Sequence, residues 1–342
     1  MEKILFLGHT EADGALHKST LEALSTAIEL AKNLTAELAV GLIGGDIAAA
    51  AQSIGGAGAV AFYGVSGAEF SQSRYASDAA AAEAICKAAA ASIVIAAASS
   101  RFSRALPGVA QRLAGRIDTQ ATAIVVDGGA PVVTRWYYRQ RMFGTLTREQ
   151  RPWIVTMAGG CAPAWQGAAQ APALTALDVA LPASAMRTTI VGIEAPSADQ
   201  QTIRPDAAML FVAGAGWTKK QADGQMHAAD ASTLIRGFLD AAKASLGSSK
   251  SLVDQSGEGH AVLPFLTHLH QVGQTGATPR HPKGLATCCH GEEPHVVGWR
   301  FITERRAVNL DATCGWAQGK ADVLYVADAF AVMGRVNEML KG

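Results

Sequence analysis

The 342-residue chain is 49% hydrophobic and 17% charged, and its 29 lysines and arginines balance 29 aspartates and glutamates. That balance argues against a nucleic-acid partner, because phosphate neutralisation rests on clustered Lys and Arg. The longest apolar run, AAAASIVIAAA, is shorter than the ~20 residues a membrane-spanning helix needs. Five cysteines in so long a chain do not make a secreted disulfide framework, so no membrane insertion and a reducing cytoplasm are expected.

In chain order, KILFLGH reads as a buried strand. Ser19 and Glu22 stand at capping-box spacing before a helix whose Leu21, Leu24, Ile28 and Ala31 form one apolar stripe. ELAVGLIGG and AVAFYGV read as strands, an alanine-rich stretch near 76–91 as a helix, and SIVIAAAS as a strand. The helix ALPGVAQRLAGR and the strand TAIVVDG follow. Such alternation predicts a mostly parallel sheet covered on both faces. From Val132 to Met157 the segment VVTRWYYRQRMFGTLTREQRPWIVTM predicts strands that close this first domain, with the basic, aromatic QRMFG as a subunit contact.

Residues 162–206 are rich in Ala, Pro, Ser and Thr, and within them DVALPASAMRTTIVGIEAPSADQQTIRP, residues 178–205, reads as the crossing between domains, with the boundary near 185–205. An N-terminal α/β domain over 1–190 and a second over 205–342 are therefore expected. The second opens with AAMLFVAGAGW, carries a long helix from Asp230 to Leu246, and ends in a helix with Phe330, Met333, Val336 and Leu340 on one side.

Three stretches in the second domain carry possible chemistry. VAGAGW is either a plain tight turn or a glycine pair that brings backbone N–H groups to a phosphate. In LGSSKSLVD, residues 246–254, Gly247 suits a helix end, while Ser248, Ser249 and Lys250 could face an anion. HQVGQTG, residues 270–276, sets Gly273 and Gly276 among polar Gln271, Gln274 and Thr275, a tight hook able to approach a ligand closely. The octapeptide CCHGEEPH holds metal-ligand types in Cys288, Cys289, His290 and His295. Adjacent cysteines do not suit one tetrahedral ion, so the two fit better as small apolar residues of a strand. Cys86, Cys161 and Cys314 read as structural, and the scattered histidines as surface or hydrogen-bonded fillers. No nucleophile elbow, Ser-His-Asp order or P-loop is present.

Taken in order, GSSKSLVD, QVGQTG, a glycine-bearing loop ending at His295, and AVNLD resemble the α subunit of electron transfer flavoproteins. Over the first domain the likeness rests on RALPGVAQRL and RPWIVTM. The resemblance implies an adenine-nucleotide-hydrolase-like parallel-sheet domain followed by a Rossmann-like FAD-binding domain. It implies an electron carrier without substrate turnover of its own, working as a heterodimer with a β subunit. Flavin-dependent dehydrogenases would be its donors, and a quinone reductase or another protein its acceptor.

Carried onto this chain, the hook Gln271, Val272, Gly273, Gln274, Thr275 and Gly276 wraps the flavin and its ribityl–pyrophosphate chain, with Thr275 near flavin N5. Ser249 and Lys250 stand for a Ser-Arg pair beside the cofactor; Lys keeps the charge but loses the planar guanidinium. His295, in the loop with His290 and Gly291, falls near the pyrimidine carbonyl of the ring. Asn309 and Asp328 fall at the adenosine end, Asp328 toward ribose hydroxyls.

Two departures matter. Gly214, Ala215 and Gly216 replace a glycine-arginine-glycine, so a pyrophosphate-neutralising arginine is missing, and Arg280 and Lys283 are the candidate replacements. Glu292 and Glu293 bring negative charge toward an anionic cofactor. These departures keep open a diverged homologue without FAD that serves as a structural or regulatory subunit.

Overall fold

Strand β1 (Lys3–His9) buries both faces, Ile4 and Phe6 in one apolar cluster and Leu5 and Leu7 in another. Side chains alternate along a strand, so this requires cover on each side of the sheet. The strand centres the first of two units into which the chain divides, residues 1–193 and 194–342. The computed structural model describes residues 2–137, 142–192, 203–204, 207–254, 262–273, 279–287, 302–312 and 321–341.

After β1 come α1 (Lys18–Leu34), β2 (Glu37–Gly44), α2 (Ala48–Ser53), β3 (Ala61–Ser66), α3 (Tyr75–Ala88), β4 (Ile93–Ala97) and α4 (Ser100–Arg112). Then follow β5 (Arg116–Asp127), β6 (Ala130–Tyr137), β7 (Met142–Leu146), β8 (Trp153–Met157) and β9 (Leu174–Ala176). They form one nine-stranded sheet in the order β7-β6-β5-β8-β4-β1-β2-β3-β9, antiparallel only at β5–β6 and β6–β7. Leu24, Ala27 and Leu30 of α1 pack with Ala50 and Ala51 of α2 in one cluster. Ala82 and Ile85 of α3 pack with Phe102 and Leu106 of α4 in the other.

Three local readings of this unit are corrected. Helix α1 begins at Lys18, so Ser19 lies inside its first turn and forms no capping box with Glu22. His17 is the N-cap, its ring nitrogen accepting from Ser19 N, and buried Glu22 instead accepts from Gly160 N at 2.7 Å. WIVTM does not close the domain: β8 inserts between β4 and β5 with all five residues buried, and β6 and β7 form the edge. On that edge Phe143 and Met142 are exposed, with Phe143 stacked on Trp136. Residues 178–192, read as the start of the crossing, still belong to the first unit, and the division falls within the expected 185–205. β9 extends the sheet beside β3, and Leu177, Val179 and Leu181 pack on the α3–α4 side.

The second unit contains β10 (Met209–Ala213), α5 (Ala228–Ala242), β11 (Ser245–Ser248), α6 (Lys250–Asp254), β12 (Lys283–Thr287), β13 (Glu304–Asn309), β14 (Val323–Val326) and α7 (Ala329–Lys341). Its five described strands are all parallel, in the order β11-β10-β12-β13-β14. Phe211 and Ala213 of β10 face Ile235 and Phe238 of α5 and Met333 of α7. Leu210 and Val212 face Val272, Ala286 and Ile302 on the opposite side. In α7 Met333 is buried and Phe330 and Val336 are partly so, but Leu340 is exposed. The long helix is shorter than Asp230–Leu246. It stops where Lys243 turns left-handed, and the chain enters β11 two residues later. The architecture is thus α/β throughout, a large mostly parallel sheet followed by a wholly parallel one, as the alternation of strands and helices predicts.

Two buried charged groups tie the first unit together. Asp78 is fully buried, and its Oδ1 accepts from Arg101 Nε at 3.0 Å and from the same guanidinium again at 2.6 Å. Asp118 on β5 accepts from Arg148 at 2.9 and 3.0 Å and from Trp153 Nε1 at 2.9 Å. Burial pushes the Asp118 carboxyl up, but hydrogen bonds from Arg148 and Trp153, with the Arg148 and Arg135 charges, hold it below the usual value.

Truncating Asp78 strands a buried guanidinium, so Asp78→Ala should lower the unfolding free energy by about 3–5 kcal/mol in urea titration. The depressed Asp118 contributes stability above the unfolded carboxyl pKa of about 3.9, lost as pH falls through its folded value. Urea titrations at pH 7 and near pH 3 should therefore show a larger loss for the native chain than for Asp118→Asn; equal losses would refute the assignment.

Candidate functional site

Because every strand of the second sheet is parallel, their carboxyl ends share one edge: Ala213, Ser248, Thr287, Asn309 and Val326. In open parallel sheets, ligands bind beyond this edge where the strand order reverses. Here the chain goes from β10 to β11 on one side and returns to β12 on the other, so β10 and β12 flank the reversal.

Ser248 and the hook meet on this edge. Gly247 belongs to β11 rather than to a helix end, and a methyl group there would lie 2.7 Å from Val272 Cγ2. Glycine at 247 therefore lets fully buried Val272 seat against the strand. Val272 N donates to Ser248 O at 3.0 Å, and Gln271 bridges Ser248 in parallel register. Gly273 turns away with φ 138°, a conformation other residues rarely adopt. Ser248 is fully buried, and its Oγ has no hydrogen-bond partner among the described residues.

The neighbouring serine behaves differently. Ser249 N donates to Ala213 O at 2.8 Å, and its Oγ accepts from Leu252 N, closing the first turn of α6. Lys250 is half exposed and pairs with Asp254 at 2.9 Å, and Asp254 also lies 2.8 Å from His268 Nε2. The Asp254 hydrogen bond, then its charge, raises the Lys250 pKa; Lys250 and His268 in turn lower that of Asp254. The cation is thus firmly protonated and shares its carboxylate with a histidine.

Asn309 ends β13 and Asp328 lies two residues beyond β14, and both line a pocket of about 330 Å3. Asn309 is buried and its Oδ1 accepts from Asp311 N at 3.3 Å. Asp328 is exposed and its Oδ1 accepts from Phe330 N at the start of α7. The loop after β10 lines the same pocket with Gly216, Lys219, Lys220 and Gln221. VAGAGW leads not into a helix N-terminus but into a single 3-10 turn, Ala215–Thr218. Trp217 anchors that turn: it is fully buried, its Nε1 donates to Thr287 Oγ1 at 2.8 Å, and its ring packs on Phe330.

The candidate replacements for the missing arginine are not on this edge. Lys283 pairs in register with Met209 at the amino end of the strands, and Arg280 precedes it. Four residue steps of about 3.3 Å separate Lys283 from Thr287, roughly 13 Å. The lysines that do line the pocket, Lys219 and Lys220, escape a reading by motif, since a lysine pair in a polar loop looks like solvated surface. Their one signal is position, directly after GAGWT. Gln274, Thr275, Gly276, His290, Gly291 and His295 lie outside the described residues, as do Cys288, Cys289, Glu292 and Glu293.

Among protein families, the electron transfer flavoprotein domain matches residues 4–182, more than half of the chain. The chain belongs to the electron transfer flavoprotein family. No curated protein matches it. Among the described residues of this family member, no helix is long and apolar enough to cross a membrane. Nor do three His, Cys, Asp or Glu residues converge there to hold a metal ion. Burial, with the nearby Glu83 charge, pushes the Cys86 thiol up to about 12, which leaves it inert. His9, at the carboxyl end of β1, is buried with Nε2 2.9 Å from Ser99 Oγ. Burial, then the Arg101 charge, lowers its pKa and favours the neutral ring.

An unsatisfied buried hydroxyl costs about 1–3 kcal/mol. Ser248→Ala should therefore raise the unfolding free energy of the ligand-free chain by about 1 kcal/mol. A destabilised variant in urea titration would show that this hydroxyl is already paired.

Proposed function

We propose that this chain is the FAD-binding α subunit of an electron transfer flavoprotein. It accepts electrons from flavin-dependent dehydrogenases, passes them to a quinone reductase or another acceptor, and works with a β subunit. The observation that supports this reading is the convergence of four segments, separate in sequence, at the carboxyl-end edge of the second sheet. They are Ser248–Lys250, Gln271–Gly273, Asn309 and Asp328. The family match lies in the first unit, and these residues supply the argument for subunit type and cofactor in the second.

The residues present fit a polar dinucleotide. The Ser248 hydroxyl offers an unused hydrogen bond. The pocket beside Asn309 and Asp328 falls within the ~300–1,000 Å3 usual for small-molecule sites. FAD, when bound, supplies the uptake and release of electrons. The chain supplies position and electrostatics. Asp328 offers a carboxylate oxygen to ribose hydroxyls, Asn309 lies beside it, and Lys250 contributes positive charge tempered by Asp254. By resemblance, Thr275 takes the place near N5, and His295 the place by the pyrimidine carbonyl.

Co-production with a β subunit tests the reading. The purified complex should be yellow, with the two visible absorption bands of an oxidised flavin, and should release FAD on denaturation. A colourless complex would replace this reading with that of a structural subunit that has lost its cofactor.

A further inference from the structure

We propose that Lys219 and Lys220 are the phosphate-binding residues of this chain, neutralising the cofactor's diphosphate in place of the arginine that Gly214-Ala215-Gly216 lacks. The inference rests on the FAD reading above. Both side chains are exposed on the wall of the pocket that also holds Asn309 and Asp328. The charged residues of that lining are these two lysines and Asp328, so positive charge is in excess by one. Such a pocket can offer a carboxylate to sugar hydroxyls and still attract an anion.

The lysines are available. Lys18 and Lys250 each pair with a carboxylate four residues on, and Lys87 with one four residues before it. Among the described residues no carboxylate pairs with Lys219 or Lys220. Asp223, the next acidic residue along the chain, is taken up by Gln225 N at 2.9 Å and His227 Nε2 at 2.7 Å.

The loop that presents them is already set. Gln221 Nε2 donates to Gly216 O at 3.1 Å and to Lys219 O at 2.7 Å, and Thr218 Oγ1 donates to Ala215 O. With Trp217 locked by Thr287 and Phe330, little backbone order remains to be created on binding. Adjacent like charges repel, and an anion between them relieves that repulsion as it binds.

Isothermal titration of the full chain with ADP and with adenosine tests this, using the native protein, K219Q/K220Q and K219R/K220R. The native chain should bind ADP at least about tenfold more tightly than adenosine, as charge-assisted contacts to phosphate provide. That preference should shrink with added salt. K219Q/K220Q should lose the preference while binding adenosine as before, and K219R/K220R should keep it. A K219Q/K220Q chain that prefers ADP as strongly as the native one would overturn the inference and leave the FAD reading standing. Equal affinity of the native chain for both ligands would do the same. Loss of adenosine binding in that variant would make the lysines determinants of loop shape and refute phosphate contact. If the native chain bound neither ligand and the complex with a β subunit were colourless, the FAD reading and this inference would fall together.

Discussion

The contact on which the candidate site depends is the seating of Val272 against Gly247. A side chain at 247 would occupy the space that Val272 fills, and the hook could not lie beside β11. With that seat made, Val272 N reaches Ser248 O, Gln271 takes its register on the same serine, and Gly273 turns with positive φ. The hook is thereby held by a buried apolar contact and a backbone hydrogen bond. Close packing makes such a contact discriminating, since one added methyl is felt.

The two units use charge in opposite ways. In the first, charged groups are buried and committed: Asp78 to Arg101, and Asp118 to Arg148 and Trp153. Such pairs cost desolvation and tolerate the loss of either partner poorly. In the second, the site's charges stand at the surface. Lys250 and His268 share Asp254, while Lys219 and Lys220 have no carboxylate among the described residues. Surface charges of this kind add little to stability. They remain available to a ligand, whose binding they can steer and strengthen.

Much of the fold was legible in the chain. β1 and β4 are short apolar runs buried on both faces, and the helical stripe of α1 has the period of one covered face. The misreadings share a cause. Gly247 looks locally like a helix end, because a glycine that closes a helix and one that makes room for a neighbour are the same residue. WIVTM looks like a closing strand, yet nothing within those five residues says that β8 lies between β4 and β5. Ser249 stood out by motif, but its hydroxyl caps α6, and the unused hydroxyl belongs to Ser248.

The sequence by itself determined the class of the protein: alternating strands and helices, two α/β units, and the family likeness carried by a few polar motifs. Those properties follow from local periodicity and from residue types at short spacing, which a linear reading can see. Only the tertiary structure decided strand order, and with it which residues share an edge. Parallel pairing brings Ser248 and Asn309 to the carboxyl ends, with Asp328 just beyond β14, and leaves Lys283 at the other end. Packing also put Lys219 and Lys220 into the lining of one pocket with Asp328. Contacts between residues about a hundred apart are made by packing, and no local pattern encodes them.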